Sequence, residues 1–260
     1  MRRFFICSTL AALFLTAVTL AAQSRENPEN FRIELTGSAW LNGPTGTLKA
    51  DGTPIDFVTD LAAGARQPRF YGRLVFKPGR KHRLILEGSP TSFSGLNTIN
   101  RSFVFLNKTY NISQTVSTDA KVNYAFLGYQ YDPFSGRYGH LGFQAGAAYL
   151  GVQGTLNGLQ SGLIETKSFQ APIPLIGTEF RIFPIPHRKI VQLEGMMRGI
   201  PAGSYGYFVE GGASGGIHLG PIALLAGYRE MFANVHQNNL IGNGVALRLK
   251  GPLFSLQWAW

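Results

Sequence analysis

One short motif in the sequence has residues suited to acyl-transfer chemistry. The run Gly212-Ala213-Ser214-Gly215-Gly216 matches the pattern of a nucleophile elbow, and His218 follows shortly after it. A nucleophile elbow needs a strand, a sharp turn and a helix, so that the serine is exposed at the turn. Here the alternation of a strand runs through the motif, and the spacing offers no carboxylate partner. Small residues that line a crowded interior are therefore the favoured interpretation.

The residues that could bind a metal ion are poorly grouped. Asp51, Asp56 and Asp60 share one segment, but their spacing does not match a calcium-binding loop. They predict a solvated loop, with a weak cation site as the alternative. The histidines are scattered one per predicted element: His82, His140, His187, His218 and His236. We expect no metal site and no cofactor.

The largest set of titratable residues alternates with apolar residues along predicted strands. A buried charge is costly unless it is paired. A lumen lined by both signs can satisfy such groups through ion pairs and water. The sequence thus predicts a plug of salt bridges that fills a small barrel, with a narrow selective pore as the alternative. The inward set comprises Glu34, Arg73, Arg83, Glu87, Glu179, Arg181, Glu194, Arg198, Glu210, Arg229 and Arg248, together with Arg32.

Ten segments between Phe31 and Trp260 alternate apolar and polar residues with period two, which predicts strands with one apolar face. Short turns follow every second segment, at about 78–80, 133–137, 184–188 and 219–221. Long connections follow the first, third and fifth segments, at about 42–67, 95–118 and 157–167. Transmembrane β-barrels show this asymmetry, with short periplasmic turns and longer external loops.

Two details of these segments carry their own predictions. Phe103–Phe105 and Thr109–Ile112 predict a small hairpin within the second long connection. Pro172 and Pro174 predict an edge-like or irregular first half of the sixth segment, because proline cannot donate to a ladder.

The last segment has a strongly apolar face. Phe254, Leu256, Trp258 and Trp260 share it, with smaller or polar residues between them. Such a strand suits the closure of a barrel that meets lipid on one side. Upstream, Val245, Leu247 and Leu249 are apolar at odd positions, and Arg248 and Lys250 alternate with them. If the apolar residues all face out, one extra residue is needed, which predicts a β-bulge at Gly251-Pro252.

The N-terminus predicts export. Arg2 and Arg3 precede an almost uninterrupted apolar run, Phe4–Ala22, as in a secretory signal peptide. We expect a signal peptide at residues 1–23 and a mature chain at 24–260, with a single membrane anchor as the alternative. The mature chain would keep 22 basic and 14 acidic residues, a net charge of +8, and no cysteine. No later apolar run is long enough for a membrane helix, so a chain that crosses a bilayer must cross as closed strands.

The signal peptide, the alternating strands, the unequal connections and the aromatic terminus together resemble the small bacterial outer-membrane β-barrel proteins, the OmpA-transmembrane-domain and OmpX-like group in the broad sense. The resemblance covers the chain from about Phe31 to Trp260. It implies a single all-β antiparallel transmembrane barrel, surrounded by outer-membrane lipid and lipopolysaccharide. It also implies insertion by the barrel-assembly machinery, which recognises a terminal strand similar to Leu253–Trp260. Ten strands depart from the eight of many relatives, and eight strands are the alternative.

The expected function is that of a non-enzymatic outer-membrane protein, structural or ligand-binding through its external loops. Three alternatives remain: a narrow porin-like channel, an outer-membrane enzyme that hydrolyses lipid or peptide, and a secreted lipocalin-like barrel. A lipocalin would have apolar residues inside, so charges inside favour the membrane. Export argues against a nucleic-acid partner. The sequence leaves the ligand and the oligomeric state open.

Overall fold

The computed structural model describes residues 29–49, 53–185, 190–201, 206–236 and 244–260. The predicted signal peptide and Asp51 lie outside these residues. In chain order the strands are β1 (Ile33–Lys49), β2 (Ile55–Asp56), β3 (Gln67–Gly79), β4 (His82–Thr98), β5 (Phe103–Phe105), β6 (Lys108–Tyr110), β7 (Thr115–Gly136), β8 (Gly139–Gly158), β9 (Leu163–Ile182), β10 (Val191–Pro201), β11 (Gly206–Leu219), β12 (Ile222–His236) and β13 (Gly244–Ala259). Within the described residues, no helix has the length and apolar character to cross a membrane.

Ten long strands close into one antiparallel barrel. They pair in the order β1, β3, β4, β7, β8, β9, β10, β11, β12 and β13, and β13 pairs with β1. The closing ladder runs from Glu34 opposite Ala259 to Lys49 opposite Gly244. The predicted ten-stranded barrel is confirmed, and the alternative of eight strands is wrong. We name its two ends the short-turn end, which includes Trp260, and the long-loop end.

The loops at the long-loop end are shorter than predicted because the strands extend into them. β2 pairs with β1 inside the first long connection. The second contains the predicted hairpin, in which β5 pairs with β6 from Phe103 opposite Tyr110 to Phe105 opposite Lys108. The predicted long connection at 157–167 is wrong, because β8 reaches Gly158 and β9 begins at Leu163. A tight turn joins these two strands.

The apolar and polar faces of the strands exchange places partway along the barrel. Near the short-turn end of β7, Leu127 and Tyr129 point outward and are exposed. Towards the long-loop end of the same strand, Val116 and Val122 are buried inside, and Lys121 is exposed outside. An apolar exterior suits lipid, whereas an apolar interior suits a part surrounded by water. Between Val116 and Tyr129 the register of β7 does not shift, so its apolar face changes sides without an extra residue.

The outward apolar stretch has the length of a bilayer core. On β8 it runs from Leu141 to Tyr149. At about 3.3 Å per residue this is roughly 26 Å along the strand. A tilt of about 40° leaves roughly 20 Å of height, close to the apolar band of about 25 Å in outer-membrane barrels. The remaining residues of β8, up to Gly158, extend beyond the bilayer at the long-loop end.

The predicted bulge at Gly251-Pro252 is wrong. β13 pairs with β12 without any register shift, from Ile222 opposite Trp258 to His236 opposite Gly244. Val245, Leu247 and Leu249 are buried inside the barrel instead of facing lipid. The change from odd to even apolar positions is the exchange of faces described above. It follows that Arg248, predicted in the lumen, lies on the outer face.

The register does shift at two other places, both at the short-turn end. One lies between Tyr131 and Phe134 of β7, and the other between Phe76 and Gly79 of β3. One extra residue on a strand reverses the faces that follow it. After the first shift Phe134 points outward and is 68% exposed, while Asp132 is fully buried inside.

β9 becomes an edge strand towards the long-loop end. Its pairing with β10 ends where Ile176 lies opposite Gly199, although its pairing with β8 continues to Leu163. Beyond Ile176, Pro174 and Pro172 occupy alternate positions of this unpaired stretch. Proline has no N–H to donate, so it makes an exposed strand edge less able to pair with another strand. The edge character predicted from these prolines is confirmed, and the strand remains regular.

Candidate functional site: the filled lumen

Arg198 lies at the centre of the charged lumen. Its guanidinium donates to the carboxylates of both Glu87 and Glu210, and its side chain is almost fully buried. The Arg198 Cζ also lies 3.7 Å from the centroid of the Phe126 ring. Arg229 donates to Glu210 at 2.7 Å from the opposite side. Two arginines on neighbouring strands therefore share Glu210, and the contact of Arg198 with Glu87 on β4 crosses the interior.

A second set of ion pairs lies beside this centre. Arg73 contacts Glu179 at 2.5 Å, and Gln144 donates to the same carboxylate at 2.7 Å. Arg181 makes a bidentate contact with Glu34, at 2.7 and 2.8 Å. Bidentate guanidinium–carboxylate pairs are strong and geometrically specific. These pairs join β3, β9 and β1, so they connect opposite walls of the barrel.

The short-turn end is closed by residues that precede the first strand. Glu29 is buried and accepts from Arg83 at 2.6 Å, while its backbone oxygen accepts from Lys77 at 2.7 Å. Arg83 also donates to Asp132 at 2.6 Å. Phe31 is buried and lies under the Lys77 ammonium, at 4.6 Å. Phe31 thus points inward as part of the plug, although it has the same period-two position as the outward Leu35.

The long-loop end is closed by an apolar cover. Ile55, Phe57 and Leu61 of the first connection are buried in one cluster with the hairpin residues Phe103 and Tyr110. The last two rings stack with centroids 5.4 Å apart. This cover packs on inward apolar residues of the barrel wall, among them Leu48, Val116, Leu156 and Leu247.

An ion pair ties the two parts of this cover together. Arg101 donates to both carboxylate oxygens of Asp60, at 3.1 and 2.5 Å. Burial alone would raise the pKa of Asp60. The hydrogen bonds from Arg101 and from the Asp56 backbone N–H, with the charge of Arg101, outweigh burial and lower that pKa below its ordinary value. Asp56 accepts from the backbone N–H of Val58 and Thr59, both at 2.8 Å, so these two aspartates stabilise a turn.

The nucleophile-elbow motif lies on a regular strand. β11 runs straight through Ser214, which pairs opposite Gly227 of β12. The Ser214 hydroxyl donates to Glu194 at 2.8 Å. His218 instead lies 2.5 Å from the side-chain oxygen of Gln192. The serine and the histidine of the motif are therefore not partnered with each other. Among the described residues, no group of three His, Cys, Asp or Glu side chains is placed to hold a metal ion.

One small cavity lies in the described part of the lumen. A cavity of about 60 Å³ lies next to the charge network, lined by Thr36, Glu194, Ser214 and Ser255 among others. A site of this volume and polarity holds a few water molecules. It does not form an open passage between the two ends of the barrel.

The structure places ten of the twelve residues predicted to point inward on the inner face. One exception is Arg248, which pairs with Glu230 at 2.5 Å on the outer surface. Arg32, also predicted inward, is exposed at the short-turn end. Sequence reasoning missed Glu29 and Asp132. Asp132 has the inward parity of Gln130 on β7 and was detectable; Glu29 precedes the first strand and has no periodic signal.

The terminal apolar face points outward as predicted. Phe254, Leu256, Trp258 and Trp260 are each about half exposed, between 48% and 54%. The Trp258 and Trp260 rings lie 4.5 Å apart. The backbone oxygen of Trp260 accepts from the N–H of Arg32 and of Ile33, at 2.8 and 3.0 Å. The role of this face as an assembly signal stays a prediction.

Fold and interior together define a transmembrane β-barrel with a filled lumen, and comparison with known proteins agrees on the fold. The outer-membrane protease OmpT of Escherichia coli superposes with a TM-score of 0.58 at 10% identity, covering 92% of this chain and 99% of that chain. The translocator domain of the autotransporter NalP from Neisseria meningitidis gives 0.45 at 11% identity, covering 97% and 98%. Ail of Yersinia pestis gives 0.38 at 11% identity, covering 88% and 98%. No family model and no curated protein matches the sequence.

Proposed function

We propose that this protein is a closed, non-enzymatic barrel of the bacterial outer membrane, and that it binds a macromolecular ligand at its external end. The long-loop end is the external end in this proposal, and the short-turn end faces the periplasm. The observation that carries the proposal is the exchange of faces along the strands. It gives the external half an apolar core and a polar exterior, which is the construction of a rigid water-soluble platform.

Closure of the lumen supports binding over transport. Ion pairs fill the lumen of the half with the outward apolar stretch, which we call the membrane half. The apolar cover closes the other half, towards the long-loop end, which we call the external half. Barrels of about eight strands have interiors that side chains can fill, whereas aqueous channels need about 16–18. Ten strands lie near the filled end of this range.

The contacts of the interior carboxylates support a non-enzymatic role. A general base must reach the proton that it abstracts. Glu87 and Glu210 instead bind arginines, and Glu194 accepts from Ser214 while it also contacts Arg181. The similarity to the OmpT protease, at 10% identity, concerns the fold.

The external end offers a surface for a ligand. Four large apolar side chains are more than half exposed there, Leu96, Ile112, Leu159 and Ile164, and we call them the external crown. Leu96 and Ile164 lie in one row across four strands, with Ser117 and Asn157 between them. Exposed apolar groups rimmed by polar residues mark interaction surfaces.

Placement in the membrane is part of the same proposal. The chain would be exported and inserted by the barrel-assembly machinery, with the outward face of Phe254, Leu256, Trp258 and Trp260 as its signal. Outer-membrane lipid and lipopolysaccharide would then surround the apolar belt.

The test combines two assays. Cells that display the barrel are assayed for attachment to immobilised proteins and polysaccharides, and the purified barrel is incubated with peptide and lipid substrates. We expect attachment that is lost in Leu96→Asp/Ile164→Asp and kept in Ser94→Asp, an exposed polar position on the same face of β4. Equal attachment of the wild type and of the Leu96→Asp/Ile164→Asp variant would contradict the binding role. Turnover that Ser214→Ala abolishes would replace it with an enzyme.

A further inference from the structure

The net positive charge of the mature chain does not lie in the lumen. Among the described residues, the interior carboxylates are at least as numerous as the cations that bind them. The carboxylates are Glu29, Glu34, Glu87, Asp132, Glu179, Glu194 and Glu210, and the cations are Arg73, Lys77, Arg83, Arg181, Arg198 and Arg229. The excess of basic residues is therefore on exposed surfaces.

The two ends of the barrel differ in the sign of their exposed charges. Within the described part of the short-turn end, the charged side chains that are exposed are all cationic: Arg32, Arg80, Lys81 and Arg137. The long-loop end has both signs, for example Asp119 beside Lys121 on β7. Surfaces with one sign of charge attract partners of the other sign.

Three of these cations lie on two adjacent turns. Arg80 and Lys81 form the β3–β4 turn, and Arg137 lies in the β7–β8 turn. The backbone N–H of Asp132 donates to the oxygen of Lys81 at 2.8 Å, which joins the β3–β4 turn to the short-turn end of β7. In the described structure none of the three cations contacts a carboxylate within ion-pair distance.

Two aromatic side chains lie at the β7–β8 turn. The register shift on β7 turns Phe134 outward, 68% exposed, beside the lipid-facing Leu141. Tyr138 is 52% exposed, and the Arg137 guanidinium lies 4.8 Å from its ring centroid. Aromatic rings at this position in a barrel lie at the membrane–water interface. Cations just beyond them are at the depth of lipid headgroups.

We propose that Arg80, Lys81 and Arg137, with Phe134 and Tyr138, form a periplasmic patch that binds the phosphate of anionic phospholipid headgroups in the inner leaflet of the outer membrane. Continuity of Phe134 and Leu141 with the lipid-facing belt favours a lipid over a soluble acidic partner. Unpaired cations near an anionic bilayer contribute about 1 kcal/mol each, which corresponds to about fivefold in binding.

The test uses nanodiscs with equal amounts of phosphatidylcholine and phosphatidylglycerol. Native mass spectrometry of the extracted barrel measures the ratio of the two lipids that it retains. The Lys81→Gln/Arg137→Gln variant removes one cation from each turn. The Lys108→Gln/Lys121→Gln variant makes the same charge change at exposed positions of the external half. Wild type and this control should retain an excess of phosphatidylglycerol, and the patch variant should lose about 25-fold of the preference.

Two further arms separate the alternatives. The charge-conserving Lys81→Arg/Arg137→Lys variant should keep the preference, which excludes a loss caused by misfolding. Inorganic phosphate at constant ionic strength should not displace the lipid. Equal preference in the patch variant and the external control would overturn the proposal. Displacement by phosphate would also overturn it, because the patch would then be a site for soluble anions.

Discussion

Arg198→Met is the substitution that should destabilise the barrel most clearly through its lumen. The side chain is almost fully buried and donates to Glu87 and Glu210. Methionine keeps a similar length and the apolar contact with Phe126. Removing one partner of a buried pair costs about 3–5 kcal/mol, because a charge stays buried without compensation. Glu210 keeps Arg229 at 2.7 Å, whereas Glu87 keeps weaker contacts with Arg73 and Arg229, at 3.4 and 3.7 Å. We therefore expect a loss of about 3 kcal/mol, at the lower end of that range.

The assay is denaturant unfolding of the barrel in lipid vesicles, followed by the mobility shift of the folded form on a gel. The matched control is Arg248→Met, which breaks an ion pair with Glu230 on the exposed outer surface. Exposed ion pairs contribute little, so the control should unfold like the wild type. Removing a lumen carboxylate together with the arginine, in Glu87→Gln/Arg198→Met, should recover part of the loss. Equal stability of Arg198→Met and Arg248→Met would refute the account of the plug.

Three further predictions test other parts of the molecule. Leu224→Arg places a charge on the lipid face near the short-turn end and should destabilise the barrel in the same unfolding assay, by less than the roughly 2–4 kcal/mol that an arginine costs at the bilayer midplane. Ser94→Arg, outward towards the long-loop end, should be tolerated, and the reverse order would mean that the faces are misassigned. Trp258→Asp with Trp260→Asp should leave unfolded chain in the periplasm, and normal folded levels by cell fractionation would contradict the assembly role. Because the pKa of Asp60 is lowered by folding, its ion pair with Arg101 stabilises the apolar cover fully at pH values above the unfolded-state pKa, about 3.9. This stabilisation is lost as the pH falls through the folded-state pKa. Limited proteolysis of the loops should therefore rise in acid, and Asp60→Asn should show less of this pH dependence; an identical pH profile in that variant would count against the ion pair.

Period-two alternation was sufficient to predict the strands and the faces of the membrane half. On β8, Leu141 and Phe143 face out and Gln144 faces in, as the alternation indicates. The pattern states which residues share a face, because successive side chains of a strand point to opposite sides. It does not state whether lipid or water surrounds that face.

This ambiguity explains the error on β13. The pattern places Leu247 and Leu249 against lipid only if all apolar residues of the strand face one solvent. The strand crosses from lipid into water, and its apolar face moves inside without a bulge. Period-two patterns could also not find Glu29, whose place in the plug is set by contacts with Arg83 and Lys77 on distant strands.

Single-channel conductance of the purified barrel in a planar bilayer tests the central claim most directly. We expect small or flickering currents in the unmutated protein. Larger currents are expected in Glu210→Ala and Arg229→Ala, because each change leaves a charged partner without its counterpart and loosens the plug. A large, steady and ion-selective conductance of the unmutated protein would contradict the filled lumen and would make this barrel a channel.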